Sequence, residues 1–185
     1  MAAAAALTMA LLGSPAQTET QAVHQERVAK CRAVWQASAP WSYSRELCEF
    51  FVSEHEKAGI GSEWWFSMCN ARYSSGLNPR MSYRVGSMWA RGLMDCTQRN
   101  GPRRRFRDLG TCDLFDARVS IRNHCLEASN LHRETGREGY SLLRAVFKPS
   151  KPDGKRARRE ELKWQRVEKQ HLTILQSWYA KRGAK

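Results

Sequence analysis

The stretch GSEWWFSMCNARYSSGLNPR, residues 61–80, decides the fold of this chain. With Ser62 as the cap, its apolar residues fall on most sides of a helix, and such a helix is buried in a larger core. These residues are Trp65, Phe66, Met68, Cys69 and Tyr73. A glycine after the last periodic residue ends a helix, so we predict a buried central helix that stops at Gly76. A Leu-Asn-Pro corner follows, and residues 71–80 contain no acid.

Helical patterns continue on both sides of this segment. One helix is predicted within residues 18–38 and a second, with Ser44 at its start, within residues 42–59. Three more segments also have helical spacing: 88–97, 116–135 and 138–147. No run of alternating β-branched residues predicts a long strand, so the fold class is all-α, with room for α+β through a small hairpin near residues 80–90.

Composition limits both size and partners. A chain of 185 residues with 42% hydrophobic content can bury one core. Lys and Arg number 31 against 18 Asp and Glu, a formal charge of +13. This charge favours an anionic partner such as nucleic acid, anionic lipid or a bacterial wall polymer.

The two termini differ from the middle of the chain. Residues 1–16 have no charge and an apolar run before a small-x-small pattern, which predicts a secretion signal, with an alanine-rich disordered tail as the alternative. Residues 17–150 form the predicted domain. Residues 151–185 hold a basic linker and a helix over about 160–181, with eleven Lys or Arg against four Asp or Glu. This helix has an apolar stripe, Trp164, Val167, His171, Leu175 and Trp178, which either packs on the domain or leaves a basic helix to contact an anionic surface.

Six cysteines fit an exported chain. All lie between residues 31 and 125, and an even count predicts a disulfide-stabilised fold with up to three bridges in any of fifteen pairings. The alternative is buried thiols. No cysteine spacing suits zinc, so we expect no metal and no cofactor. The expected location is periplasmic or secreted.

Four motifs occur in order: SSGLNP at 74–79, GLMD at 92–95, LFDARVSI at 114–121 and LRAVF at 143–147. The series resembles the soluble lytic transglycosylase family of the lysozyme-like superfamily. That family has Glu-Ser-x-Phe-Asn-Pro, Gly-Leu-Met-Gln, a Phe-Asp-Pro-x-x-Asn-Ile helix start and Ala-x-Tyr-Asn in the same order. The resemblance covers roughly residues 45–150 and implies a lysozyme-like fold that acts on peptidoglycan.

The resemblance also implies a general acid at the end of the central helix. In that family a carboxylic acid, held protonated by a partly apolar cleft, gives its proton to the glycosidic oxygen, and the neighbouring acetamido group closes an anhydro ring. In this chain Ser74 stands at the acid position, Asp95 replaces the Gln, and Phe147 and Lys148 replace Tyr and Asn. A hydroxyl cannot supply that proton, and loss of such an acid costs about 10²–10⁴-fold in rate.

The implied substrate-binding residues are Ser75, Asn78, Trp89, Gly92, Met94 and Phe147. Asp95 is the alternative acid, whereas Glu63 lies three helical turns from Ser74 and is expected to favour the helix dipole. His55 and His124 are expected to be packed or hydrogen-bonded, because neither has an evident nucleophile partner.

Three functions follow from these residues. The first is a lytic-transglycosylase-like pseudoenzyme that binds glycan strands of peptidoglycan, or another anionic wall glycan, with lost or reduced cleavage. The second is an active, divergent peptidoglycan lyase or muramidase that uses Asp95. The third is a basic structural or assembly protein that uses the fold as a scaffold. The basic loop at 99–110 is suited to phosphate contacts, but no nucleic-acid-binding fold accompanies it, so we do not expect nucleic acid as the partner.

Overall fold

The computed structural model describes residues 15–85, 88–99, 115–148 and 150–183. The chain is mostly helical, which confirms the helical expectation. Its helices are α1 (Pro15–Ser38), α2 (Arg45–Lys57), α3 (Trp64–Ser75), α4 (Ala117–Thr135), α5 (Gly139–Phe147) and α6 (Lys155–Gly183). Its strands are β1 (Ser82–Val85), β2 (Met88–Arg91) and β3 (Cys96–Arg99). The first fourteen residues of the predicted signal and residues 100–114 of the basic loop and third motif lie outside the described part.

Helix α3 is the buried central helix that the sequence predicts. Met68 and Ala71 are fully buried in a core shared with α1, α2 and α4. Its first residue is Trp64, and Glu63 rather than Ser62 occupies the cap position, without a side-chain cap bond. The start of α2 agrees with prediction, because the Ser44 hydroxyl accepts a hydrogen bond from the Leu47 amide.

The segment 88–97 is not helical, which corrects the sequence prediction. It contains β2, a turn at residues 92–95 and the start of β3. The three strands form an antiparallel sheet in the order β1-β2-β3, with Ser82 opposite Arg91 and Arg91 opposite Cys96. Gly92 and Asp95 have left-handed backbone conformations with φ of 77° and 57°, and a right-handed helix cannot continue through them.

Helix α6 packs its apolar stripe on the rest of the chain. Trp164 and His171 are buried, and Leu175 joins the main core. Trp164 contacts Cys69 of α3 and Leu143 of α5 within one cluster. The stripe therefore packs on the domain, and α6 begins five residues earlier than predicted. Contact of its basic side chains with an anionic surface stays a prediction. Among the described helices, none is long and apolar enough to cross a membrane.

The predicted disulfides are absent from the described part of the chain. Its five cysteines are free thiols, and Cys112 lies outside it. For two of them the physical reason is where the side chains point: the Cys125 thiol lies 3.4 Å from His55 Nδ1, and the Cys69 thiol lies 3.6 Å from His171 Nδ1. These two thiols are paired with imidazoles across helices, which is the buried-thiol alternative. The Cys31 and Cys48 thiols are hydrogen-bonded to each other and are free thiols.

Candidate functional site

The C-terminal end of α3 is a tight reversal of the chain. The Gly76 amide donates to the Arg72 carbonyl at 3.0 Å, with glycine in the left-handed region at φ 61°. Leu77 is also left-handed, with φ 62°, and its side chain is fully buried. A bulky residue in that conformation is strained, so burial of the leucine side chain must hold it there.

Ser75 joins this reversal to the turn at residues 92–95. Its hydroxyl lies 2.7 Å from the Ala71 carbonyl oxygen and 2.8 Å from the Leu93 carbonyl oxygen, and the residue is 5% exposed. The first contact is within α3, whereas the second crosses to another element. A single small hydroxyl therefore fixes the distance between helix and turn.

Ser120 joins the same turn to α4. Its hydroxyl accepts a hydrogen bond from the Met94 amide at 3.0 Å. Asp116 places Ser120 correctly because its carboxylate caps α4, accepting from the Arg118 amide at 2.7 Å. We call residues 74–78, 92–95 and 116–120 together the α3 corner. Three of the four sequence motifs thus meet there through two serine hydroxyls.

Ser74 lies half-buried on the last turn of α3, within the α3 corner. Its hydroxyl donates to Asn70 Oδ1 at 3.1 Å, one helical turn earlier. An amide oxygen is not a base that could activate a serine nucleophile. Ser74 is therefore equipped neither as an acid nor as a nucleophile, and what it presents is a hydrogen-bonding hydroxyl.

Asp95 and Asn78 are fixed by backbone hydrogen bonds at the two ends of the α3 corner. The Asp95 amide donates to the Gly92 carbonyl at 3.3 Å, and Asp95 is half-buried. Asn78 Oδ1 accepts from the Arg80 amide at 2.9 Å, which is an Asx turn. Asn78 follows Ser74 at the helix end, and Asp95 lies in the turn that the Ser75 hydroxyl joins to that end. A shared role of these residues with Ser74 stays a prediction.

The other predicted substrate-binding residues are divided among three places. Met94 is buried in the core and so shapes the turn from below. Trp89 lies on β2 opposite Arg84 and Gln98, and its side chain lies outside the described part. Phe147 is 36% exposed, but it packs edge-on against Trp164 of α6 at 6.0 Å between ring centroids. The fourth motif therefore meets α6.

Three histidines have buried partners that the sequence did not reveal. His124 Nε2 lies 2.9 Å from the Ser67 hydroxyl, and the His55 ring lies 6.0 Å from that of His124. Burial lowers the pKa of His55 to about 4 and those of His124 and His171 to about 3. A serine beside a neutral imidazole has the composition of a catalytic pair. Both side chains are inside the core, however, which leaves no room for a substrate.

Two glutamates that sequence analysis either set aside or missed tie helices together. Glu63 is buried and accepts from the Gly139 amide at 2.7 Å, so it satisfies the start of α5, and burial raises its pKa. Glu168 of α6 accepts from Trp65 Nε1 at 2.9 Å and from the Tyr140 hydroxyl at 2.6 Å. A carboxylate within the apolar stripe of a helix is the signal that would have identified Glu168.

Comparisons with protein-family models, with characterised proteins and with solved structures give no match to this chain. Within the described residues, no three His, Cys, Asp or Glu side chains are grouped as a metal site.

Proposed function

We propose that this chain is an exported, lysozyme-like protein that binds glycan strands of peptidoglycan at the α3 corner and cleaves them slowly or not at all. The observation that carries the proposal is the meeting of three motifs in the α3 corner. The hydroxyls of Ser75 and Ser120 join the helix end, the turn and the start of α4, which carry the first three motifs of the resemblance. A short antiparallel sheet follows the helix end, which suits such a fold.

Weak cleavage follows from the chemistry at the helix end. Glycan cleavage by this route needs a proton donor near neutral pH, and a serine hydroxyl is far too weak an acid. The Ser74 hydroxyl donates to Asn70 and has the size and polarity to accept a hydrogen bond from a sugar hydroxyl. The α3 corner thus favours binding over proton transfer.

The test is incubation of the purified protein with insoluble peptidoglycan, scoring both sedimentation of the protein and release of soluble muropeptides. We expect wild-type protein to sediment without release. Ser74→Glu restores a carboxylic acid at the helix end, and we expect anhydro-muropeptide release to rise by at least about tenfold. Ser74→Gln is the matched control, because it has the same size without the acid and should release nothing.

The alternative with Asp95 as acid gives the opposite pattern. Release by the wild-type protein that disappears in Asp95→Asn would identify an active enzyme with a relocated acid and contradict the pseudoenzyme proposal. Failure of wild-type protein to sediment would refute peptidoglycan binding altogether. Deletion of residues 151–185 is not a usable test of the scaffold alternative, because Trp164 and Leu175 of α6 belong to the packed interior.

A further inference from the structure

A concave surface lies between α1 and α6, and none of its lining residues belongs to the α3 corner. This α1–α6 cleft has a volume of about 680 Å³, within the range of about 300–1,000 Å³ that is typical of ligand sites. Ala29, Ala33 and Ala37 line its α1 side. Residues four apart share one face of a helix, so three methyl side chains in succession leave the space open.

The charge of the α1–α6 cleft is entirely positive. Arg32, Lys181 and Arg182 line it, and no Asp or Glu does. Arg32 is partly neutralised by Glu49 at 3.4 Å. Over the described ranges, Lys181 and Arg182 make no ion pair. Two uncompensated cations beside a concave surface concentrate anions there.

Aromatic rings form part of the lining. Trp178 lies on the α6 side and Tyr43 belongs to the segment between α1 and α2. The Arg182 guanidinium lies 4.5 Å from the Trp178 ring centroid, and Tyr179 packs edge-on against the same ring at 4.9 Å. These contacts limit the motion of the indole, so a ligand would meet an ordered ring at little entropic cost.

Apart from Ile174, the remaining lining is polar and has hydrogen-bond acceptors to offer. The Thr173 hydroxyl donates to the Lys169 carbonyl at 3.0 Å, and the Ser177 hydroxyl donates to the Thr173 carbonyl at 3.1 Å. Their protons are used within α6, and their oxygen lone pairs face the α1–α6 cleft or water. An acyl chain in this cleft would cover those hydroxyls without a partner, which is unfavourable. A hydroxyl-rich ligand would satisfy them.

We propose that the α1–α6 cleft binds an acidic glycan chain. Its carboxylates lie against Lys181 and Arg182, its ring faces pack on Trp178 and Tyr43, and its hydroxyls donate to Thr173 and Ser177. The choice of a glycan rests on the proposed function. The requirement for negative charge comes from the lining of the cleft itself.

The experiment compares two soluble probes by calorimetry. One is a tetrasaccharide of alternating N-acetylglucosamine and N-acetylmuramic acid, which carries carboxylates, and the other is the neutral tetramer of N-acetylglucosamine. We expect wild-type protein to bind the acidic probe about tenfold more tightly, a preference that weakens as salt is raised. The double variant Lys181→Gln/Arg182→Gln should lose the preference.

The matched control is Arg166→Gln/Lys169→Gln, which removes the same charge from exposed positions of α6 outside the cleft. It should keep the preference. Ala33→Leu fills the cleft without changing charge and should weaken both probes, with thermal unfolding used to check that it folds. The inference would be overturned if the two double variants preferred the acidic probe over the neutral one to the same extent, or if wild-type protein bound neither probe.

Two further results separate this inference from the proposed function. If Lys181→Gln/Arg182→Gln changes neither sedimentation with peptidoglycan nor affinity for the acidic tetrasaccharide, glycan binding by the α1–α6 cleft is refuted. That result does not contradict glycan binding at the α3 corner. If wild-type protein binds the acidic tetrasaccharide through the cleft but does not sediment with peptidoglycan, only the proposed function is refuted. Binding to phosphatidylglycerol vesicles or to an acidic helical peptide, lost in the same double variant and without tetrasaccharide binding, would replace the glycan by that ligand.

Discussion

The α3 corner is held by different means from the α6 interface, a name we give to the packing of Trp164, Glu168 and His171 on α3 and α5. In the α3 corner, two small hydroxyls and left-handed residues fix the backbone, as the Ser75 bond to the Leu93 carbonyl shows. At the α6 interface, large rings are buried around Trp164, and the Glu168 carboxylate accepts from two aromatic donors. The comparison teaches that hydrogen bonds from a few small side chains fix the backbone conformation of the α3 corner. At the α6 interface, burial of large aromatic side chains stabilises the fold.

Acid should have the largest effect, because it acts on three buried histidines at once: His171 at the α6 interface, and His55 and His124 between α2 and α4. The pKa values of His55, His124 and His171 are lowered by burial from about 6.5 to about 4 or 3. Below pH 6.5 the unfolded chain therefore binds more protons than the folded chain, and stability is lost as the pH falls from about 6.5 towards 4. Each histidine contributes up to about 1.4 kcal/mol per pH unit.

Urea unfolding between pH 8 and pH 4 measures this effect. The unfolding midpoint should be level above pH 7 and should fall steeply below pH 6. In His171→Leu, which removes the α6 histidine, the slope should drop to about two thirds of the wild-type value. A level midpoint from pH 7 to pH 4.5 would mean that these imidazoles are not buried as described.

The next largest effect is expected for Trp164→Ala in the α6 interface. Trp164 is 1% exposed and contacts α3 and α5. Removing a buried indole should lower the free energy of unfolding by about 3–5 kcal/mol. Leu162→Ala is the control on the same helix, since Leu162 is 57% exposed and should change stability by about 0.5 kcal/mol or less. Equal losses in the two variants would show that α6 is not packed through its Trp164 face.

Ser75→Ala should lower the free energy of unfolding by less than Trp164→Ala does, but it should weaken peptidoglycan binding more. It leaves the buried Leu93 carbonyl without its side-chain donor, which costs about 1–3 kcal/mol. Because the turn is then free to shift, we expect peptidoglycan sedimentation to fall as well. Ser150→Ala removes an exposed hydroxyl outside both the α3 corner and the α1–α6 cleft and should leave both sedimentation and stability nearly unchanged. Ser75→Ala protein that sediments fully would uncouple the α3 corner from binding.

The smallest effect is expected for Gly76→Ala. An added methyl group would meet nothing within 4 Å, so the cost is backbone strain at φ 61°, about 1–2 kcal/mol. Gly76→Asn should cost less, because asparagine tolerates the left-handed region better. Thermal unfolding of the pair separates strain from packing, and a larger loss for asparagine would point to a steric cause.

Sequence patterns predict the parts of this fold that depend on neighbours in the chain. The Gly76 stop and the Ser44 cap follow from single residues next to a periodic segment, and both are observed. The segment 88–97 was misread because its apolar residues happen to have helical spacing. The left-handed Gly92 and Asp95 depend on hydrogen bonds to Met81 and within the turn, which periodicity does not show.

Contacts between distant residues account for the other errors. The cysteine count predicts disulfides, yet Cys125 and Cys69 meet histidines that are 70 and 102 positions away. The α1–α6 cleft was missed for the same reason. In the sequence, Ala33 and its neighbours are ordinary residues of a helix. They line a cleft only because α6, which is distant in the chain, packs beside α1.

The buried thiols can report how often each part of the folded chain opens. Cys31, Cys48, Cys69 and Cys125 are all inside the core, and burial raises the pKa of Cys69 and of Cys125, so little reactive thiolate is present in the folded chain. An alkylating reagent can reach them only when the chain opens. The rate at which each thiol is alkylated therefore measures how often its own helix opens. Cys69 reports on the separation of α3 from α6, and Cys31 reports on the separation of α1 from α2.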